Sequence, residues 1–254
     1  LFARRLNLSY EELIDIVRTQ FVNPYSHLIP KLEKLHINFT TIQAFLQGTL
    51  SEADFEARLP EDLDPTAYGG DVKQWLRDHE AQIMGLIVLS DPTGSKDVCS
   101  FDTVEFRYLS GNGLQPIEFL KLLRFIQLWK KLGWSIEQTD KAIKALYPAD
   151  QYPDENDHWD TARIKLDAGF RTLLDRLAHL QIVMEELHLK PNPDLLPLLA
   201  CWSPIDTHGY SSLYRRMFLN PTILALDEIF QEDGYGNYLA DKKEFQDPDA
   251  EPPR

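Results

Sequence analysis

Phe119-Leu120-Lys121-Leu122-Leu123-Arg124-Phe125-Ile126-Gln127-Leu128-Trp129-Lys130-Lys131-Leu132-Gly133-Trp134-Ser135-Ile136-Glu137 is the stretch that decides the fold class. Phe119, Leu122, Leu123, Ile126 and Trp129 recur at intervals of three and four, the spacing that lines one face of an α-helix. Gly133 follows the last periodic residue, where a helix that stops needs a residue tolerant of left-handed backbone. Ser135 with Gln138 is a capping box: the hydroxyl accepts from the third amide of a new helix while the Gln side chain reaches back. That helix continues through Ile136, Ala142, Ile143 and Leu146. The stretch therefore predicts a helical hairpin, with Trp129 and Trp134 closing its corner. Lys130 and Lys131 suit the negative end of the helix dipole.

The same logic extends both ways. Ser9 and Glu12 form a second capping box, opening a helix with Leu13, Ile16, Val17 and Phe21 on one face and Asn23-Pro24 as its stop. Thr40 or Thr41 caps a short helix through Ile42, Phe45 and Leu46 that closes at Gly48, and Ser51 with Asp54 opens another. Pro60 to Gly70 reads as an acidic loop. Asp71 caps a longer helix whose face carries Val72, Trp75, Leu76, His79, Ile83, Leu86 and Ile87. Beyond the hairpin, an acidic loop from Tyr147 to Asp157 leads to the longest helix, about 159–187. Its stripe is Leu166, Phe170, Leu173, Leu174, Leu177, Leu180 and Met184. Short helices follow near 195–200 and 212–218, the last stopped by Asn220-Pro221.

The period changes only between Ser90 and Gly113. Val104, Phe106 and Tyr108 alternate with Thr103, Glu105 and Arg107, which predicts a short strand before the turn Ser110-Gly111-Asn112-Gly113. A lone strand leaves its backbone groups unpaired, so it needs a partner nearby or elsewhere in a larger protein. The fold expected is mostly α: a multi-helix, bundle-like segment with a small β element near 101–113. Residues 1–246 form that segment, in one piece or in two lobes of about 1–113 and 114–246. The acidic, Pro-rich residues 247–254 read as a tail or linker. The N-terminal Leu1-Phe2-Ala3-Arg4-Arg5 reads as the last turn of a helix already under way, and both ends suggest a piece of a longer polypeptide.

Composition narrows the function classes. The chain has 254 residues, 43% hydrophobic and 26% charged, with 13 Phe, 10 Tyr and 5 Trp, enough apolar material to offset the entropy of ordering. Its formal net charge of −14 argues against nucleic acid, whose binding depends on clustered Lys and Arg displacing counterions. No window approaches the ~20 apolar residues that a membrane span needs. Cys99 and Cys201 lack the spacing of a zinc or redox pair. They are read as two buried free thiols, with a single bridge between them as the alternative.

Catalytic signatures are missing. His27, His36, His79, His158, His179, His188 and His208 are scattered, and Glu185-Glu186-Leu187-His188 has no second His one turn away. Asp154, Glu155, Asp157, His158 and Asp160 gather oxygen ligands without the Gly and terminal Glu of a calcium loop, so they read as a solvated acidic loop. No nucleophile elbow or phosphate-cradling glycine loop occurs. No metal, no cofactor and no enzymatic activity are expected. A hydrolase would rest only on abundant acids such as Asp157 and Asp160 with His158.

A second motif lies at Trp202, Ile205-Asp206-Thr207, Ser212-Leu213-Tyr214 and Phe218-Leu219-Asn220-Pro221. Taken in order with Leu8-Ser9-Tyr10-Glu11-Glu12-Leu13 and with Arg124 to Asp140, it resembles the A component of bacterial Tc toxins, the insecticidal toxin complexes, and the related virulence-plasmid A proteins. The resemblance spans most of residues 1–246. This chain has Lys130 where Arg is usual, and Gln138-Thr139 where Glu-Leu or Glu-Met is common. Arg124, Trp129, Gly133, Trp134, Asp206, Thr207, Tyr214 and Asn220 are the positions that carry the pattern.

The resemblance implies a structural role. Members are very large subunits that assemble into bell-shaped homopentamers, with an α-helical shell around a channel that delivers a toxic enzyme into host cells. The matching region is the shell. Its partners would be the rest of its own subunit and the other four copies, with the B–C cocoon and the host receptor engaged through other regions and no direct membrane contact here. The protein would be a secreted or released bacterial toxin. Opening at shifted pH is also implied, with Asp154, Glu155 and Asp157 as candidates to change repulsion between subunits. The alternative reading is a stand-alone helical adaptor that binds a partner through an apolar face.

Overall fold

Side-chain caps open five of the α-helices in the computed structural model, which describes residues 8–90, 105–154, 156–207 and 212–220. Ser9 caps α1 (Tyr10–Val17), and the Glu12 carboxylate accepts the Ser9 amide at 2.7 Å, completing the box. The next helices are α2 (Ile29–Glu33), α3 (Phe39–Leu46), capped at Asn38 with Thr40 and Thr41 inside its first turn, and α4 (Glu52–Glu56), capped by Ser51. Asp71 accepts two amides at the start of α5 (Val72–Asp78). The chain is mostly helical, 61%, with eleven α-helices among the described residues and one small antiparallel sheet.

The long helix expected after Asp71 is broken twice. His79 leaves helical geometry (φ −107°, ψ 12°), its ring stacked on Trp75 with Nδ1 donating to the Trp75 carbonyl at 2.8 Å. The five-residue α6 (Glu80–Met84) then ends at Gly85. Ile87, expected on a helix face, begins β1 (Ile87–Ser90), which pairs antiparallel with β2 (Glu105–Tyr108), Ile87 opposite Tyr108 and Ser90 opposite Glu105. The predicted strand thus finds its partner in the apolar run just upstream. A run this short reads equally well as helix or strand. Thr103 and Val104, read as part of the strand, lie outside the described residues.

The hairpin comes next: α7 (Pro116–Leu132), Gly133 in left-handed backbone (φ 67°), then α8 (Ile136–Leu146) behind the Ser135–Gln138 box. Phe125 is fully buried on α7, whereas Phe119, expected on the apolar stripe, is 40% exposed. The longest helix, α9 (Trp159–Glu186), packs on both. Its core stripe is as expected except for Leu174, which faces solvent.

The chain divides into two compact units, the first ending at His188 and the second beginning at Leu189, so residue 113 falls inside the first. One cluster of the first unit's core joins Leu32, Leu35, Ile42, Phe55, Leu76 and Leu86, with the Phe45 and Phe55 rings stacked at 4.2 Å. Another is centred on Phe21, whose ring meets Phe125, Tyr147, Tyr152 and Phe170. Phe21 lies beyond α1, which stops at Val17 rather than at Asn23-Pro24. The second unit holds α10 (Pro191–Leu199) and α11 (Leu213–Phe218). Residues 247–254 and Cys99 lie outside the described residues. Cys201, expected to be buried, is an exposed free thiol.

Candidate functional site

The first motif builds a corner. The Gly133 amide closes α7 on the Trp129 carbonyl at 3.1 Å, and the Trp129 indole Nε1 donates across the turn to the Trp134 carbonyl at 2.9 Å. Trp134 is buried and Trp129 half-buried, and what joins them across the corner is the Trp129 indole and the Trp134 backbone carbonyl. Arg124 stands apart from it. Its guanidinium reaches Asp167 on α9 at 2.6 Å and covers the Phe170 ring at 5.8 Å. Arg163 approaches the same carboxylate at 3.5 Å. These three sites join α7 to its neighbours through capping, a cross-turn hydrogen bond and an interhelix ion pair.

Asp140, just over one turn into the next helix, ties that helix to the start of the chain. The buried carboxylate accepts the backbone amides of Gln20 and Phe21, each at 2.9 Å. Burial pushes its pKa up to about 6, against the pull of the two amides and of Lys144 and Lys141. Asp140 was one position of the motif, but its role was not legible. A local signal existed: Ile136, Thr139, Asp140 and Ile143 share the buried face of α8, and a carboxylate there must find donors.

Asn23 is the second such group. It is fully buried, and its Nδ2 donates to the carbonyls of Val17 (2.8 Å) and Ile87 (3.0 Å) while its Oδ1 accepts the Ile87 amide (3.2 Å). One side chain thus satisfies the end of α1 and the first residue of β1. Buried Lys121 and half-buried Glu118 form an ion pair on α7 at 3.2 Å. Nearby, burial and the Glu118 charge push the Tyr108 phenol up to about 12.

The second motif lies in the second unit. Ser212 caps α11 through the Arg215 amide at 3.3 Å, and the Asp206 backbone carbonyl accepts the Tyr214 amide at 2.9 Å. The Tyr214 and Phe218 rings lie 5.2 Å apart. Asp206, Tyr214 and Asn220 are half-buried and Thr207 is exposed. Asn220 lines a groove with Pro197, Cys201, Ile205, Leu213 and Met217.

The acidic loop before α9 is organised by its own side chains. Asp157 takes Lys165 Nζ at 2.7 and 3.0 Å and the Asp154 amide at 2.7 Å, and these contacts hold its carboxyl below the usual range. Asp154 accepts the Asn156 amide at 2.9 Å. Glu155 and His208 lie outside the described residues. Among the described residues, no three His, Cys, Asp or Glu side chains gather as a metal site, and no helix is long and apolar enough to cross a membrane. Neither family models, nor curated proteins, nor solved structures give a match to this chain.

Proposed function

We propose that this chain is a structural segment of the helical shell of a Tc-toxin-like A subunit, surrounding and supporting a channel that carries a toxic enzyme into host cells. The observation that supports the reading is the order of three motifs along the sequence together with the work their residues do. Gly133, Trp129 and Trp134 fix a helix corner, Arg124 clamps two long helices, and Asp206 and Tyr214 tie the loop before α11 to its first turn. Residues in these roles suit a load-transmitting wall, where the requirement is rigid helix junctions. On this reading the chain's partners are the rest of its own subunit and four further copies, and the subunit is released by a bacterium.

The test is direct. The complete product of the gene that encodes this sequence is purified and imaged as single particles. A bell-shaped particle with five-fold symmetry, in which residues 8–220 fall in the outer helical wall, is the expected result. A small helical protein with no ring would overturn the proposal and leave the adaptor reading, which the exposed apolar side chains of α9 favour.

A further inference from the structure

The longest helix carries an exposed face whose sequence is complementary to itself when turned end for end. Ile164, Arg171, Asp175 and Ile182 follow one another at spacings of 7, 4 and 7 residues. At 100° per residue all four fall within ~40° of one direction, because 18 residues make five full turns. Ile164 is 60% exposed and Ile182 57% exposed, although each is large and apolar. Arg171, Asp175 and Ala178 are also exposed, and Ala168 is half-buried beside them. Among the described residues Arg171 engages no ion pair, and Asp175 lies 4.0 Å from His179 Nδ1. The opposite side of the helix is occupied by α7 and α8.

The geometry points to a second copy of this chain as the occupant of the face, docked antiparallel along α9 about a two-fold axis level with Leu173. In that register Ile164 of one copy meets Ile182 of the other, twice over. Arg171 meets Asp175, also twice, and the small Ala168 and Ala178 let the helices approach. A parallel pairing would set Arg171 against Arg171 and Asp175 against Asp175, so charge selects the antiparallel arrangement. Asp160 and Glu186, the like charges this register brings level, stand on opposite flanks of the face. Isologous pairing of one patch with itself is what a two-fold interface requires.

The contact is small. Eighteen residues span ~27 Å of helix, and a strip of that length on a helix of ~10 Å diameter buries on the order of 300–500 Å² per copy. That is below the range of permanent dimers and places the association among weak, reversible ones. The inference stands apart from the shell reading. A five-fold ring joins copies head to tail and cannot supply a two-fold pairing, so either can fail without the other.

Sedimentation equilibrium of the 254-residue chain over a range of concentrations tests it. The chain should show a monomer–dimer equilibrium. Arg171→Asp and Asp175→Arg should each weaken it by about tenfold, because each turns two attractive contacts per dimer into repulsive ones. An equimolar mixture of the two variants should recover the original affinity, since every cross-dimer contact is again Asp against Arg. The double exchange R171D/D175R should recover it as a homodimer. Circular dichroism reports whether each variant is folded. A wild-type chain that stays monomeric throughout overturns the inference. So does a dimer that the single variants leave unchanged, or one that the mixture fails to restore.

Discussion

Asp140 and Phe21 lie 119 residues apart and are joined: the carboxylate of one accepts the backbone amide of the other at 2.9 Å, beside an equal bond from Gln20. The bond crosses from the turn that follows α1 to the middle of α8. Burial dominates the electrostatics and raises the Asp140 pKa from 3.8 to about 6. The folded protein therefore holds a proton between those values that the unfolded chain has released. Stability contributed by this residue is then greatest below pH ~4 and falls as pH rises through ~6. The interval corresponds to ~3 kcal/mol at most. Asp140→Ala should thus destabilise the protein more at pH 4 than at pH 8. Urea unfolding of both proteins across that range measures the difference. A pH-independent difference would show that the carboxylate does not titrate in this way.

Gly169 allows α9 to pass against Tyr147. A Cβ at this position would sit 2.1 Å from the Tyr147 hydroxyl and 2.2 Å from Cζ. The Tyr147 ring cannot swing away freely, because Phe21, Tyr152 and Phe170 surround it. Gly169→Ala would ordinarily stabilise a helix interior by ~1 kcal/mol. Here overpacking should outweigh that gain and give a net loss of ~1–2 kcal/mol. The same substitution in a Tyr147→Ala background should regain the helix benefit. Thermal unfolding of the four proteins in the cycle decides the point, and additivity of the two changes would sink it.

At the corner, Gly133 has φ of 67°, a region where a Cβ is strained. Gly133→Ala should cost ~1–2 kcal/mol and Gly133→Asn less, since Asn enters left-handed backbone more readily. Trp129→Phe keeps a smaller aromatic ring and removes the donor to the Trp134 carbonyl, for a loss of at least ~0.5–1.5 kcal/mol from the hydrogen bond, with lost packing added to it. Denaturant midpoints should rank Gly above Asn above Ala. If Ala equals Gly, the corner is not held in left-handed geometry in solution.

These features differ in how far a sequence announces them. Gly133, Ser135 and Gln138 were legible because capping is local: donor and acceptor lie within three residues, and the pattern is written in consecutive positions. The β1–β2 pair was half-legible. Alternation from Glu105 to Tyr108 gave one strand, but Ile87-Val88-Leu89 is an apolar run too short to separate strand from helix by period. Gly169 carries no local sign at all, since its reason is a tyrosine 22 residues upstream. For the candidate site, Trp129 and Trp134 met where expected, whereas Arg124 found Asp167 on a different helix, a pairing that helical spacing alone does not specify.

Asn23 is the strongest case of a long-range requirement carried by one side chain. Its amide nitrogen serves Val17 and Ile87 carbonyls, and its oxygen serves the Ile87 amide, all in a site closed to water. Asn23→Ala would leave one buried donor and two buried acceptors without this partner, each costing ~1–3 kcal/mol unless water enters. The expected loss is therefore ~3 kcal/mol or more, large for a substitution that removes little apolar surface. Asn23→Asp separates the two halves of the interaction. It can still accept the Ile87 amide but cannot, as a carboxylate, donate to either carbonyl, and it adds a buried charge. Its loss should shrink as the pH falls and the carboxyl takes up a proton. The damage should be centred on β1: amide hydrogen exchange at Ile87 should quicken at least tenfold in Asn23→Ala, while amides in the middle of α9 slow or quicken only with global stability. Unchanged exchange at Ile87 in a destabilised Asn23→Ala protein would mean that the side chain supports the end of α1 and not the strand.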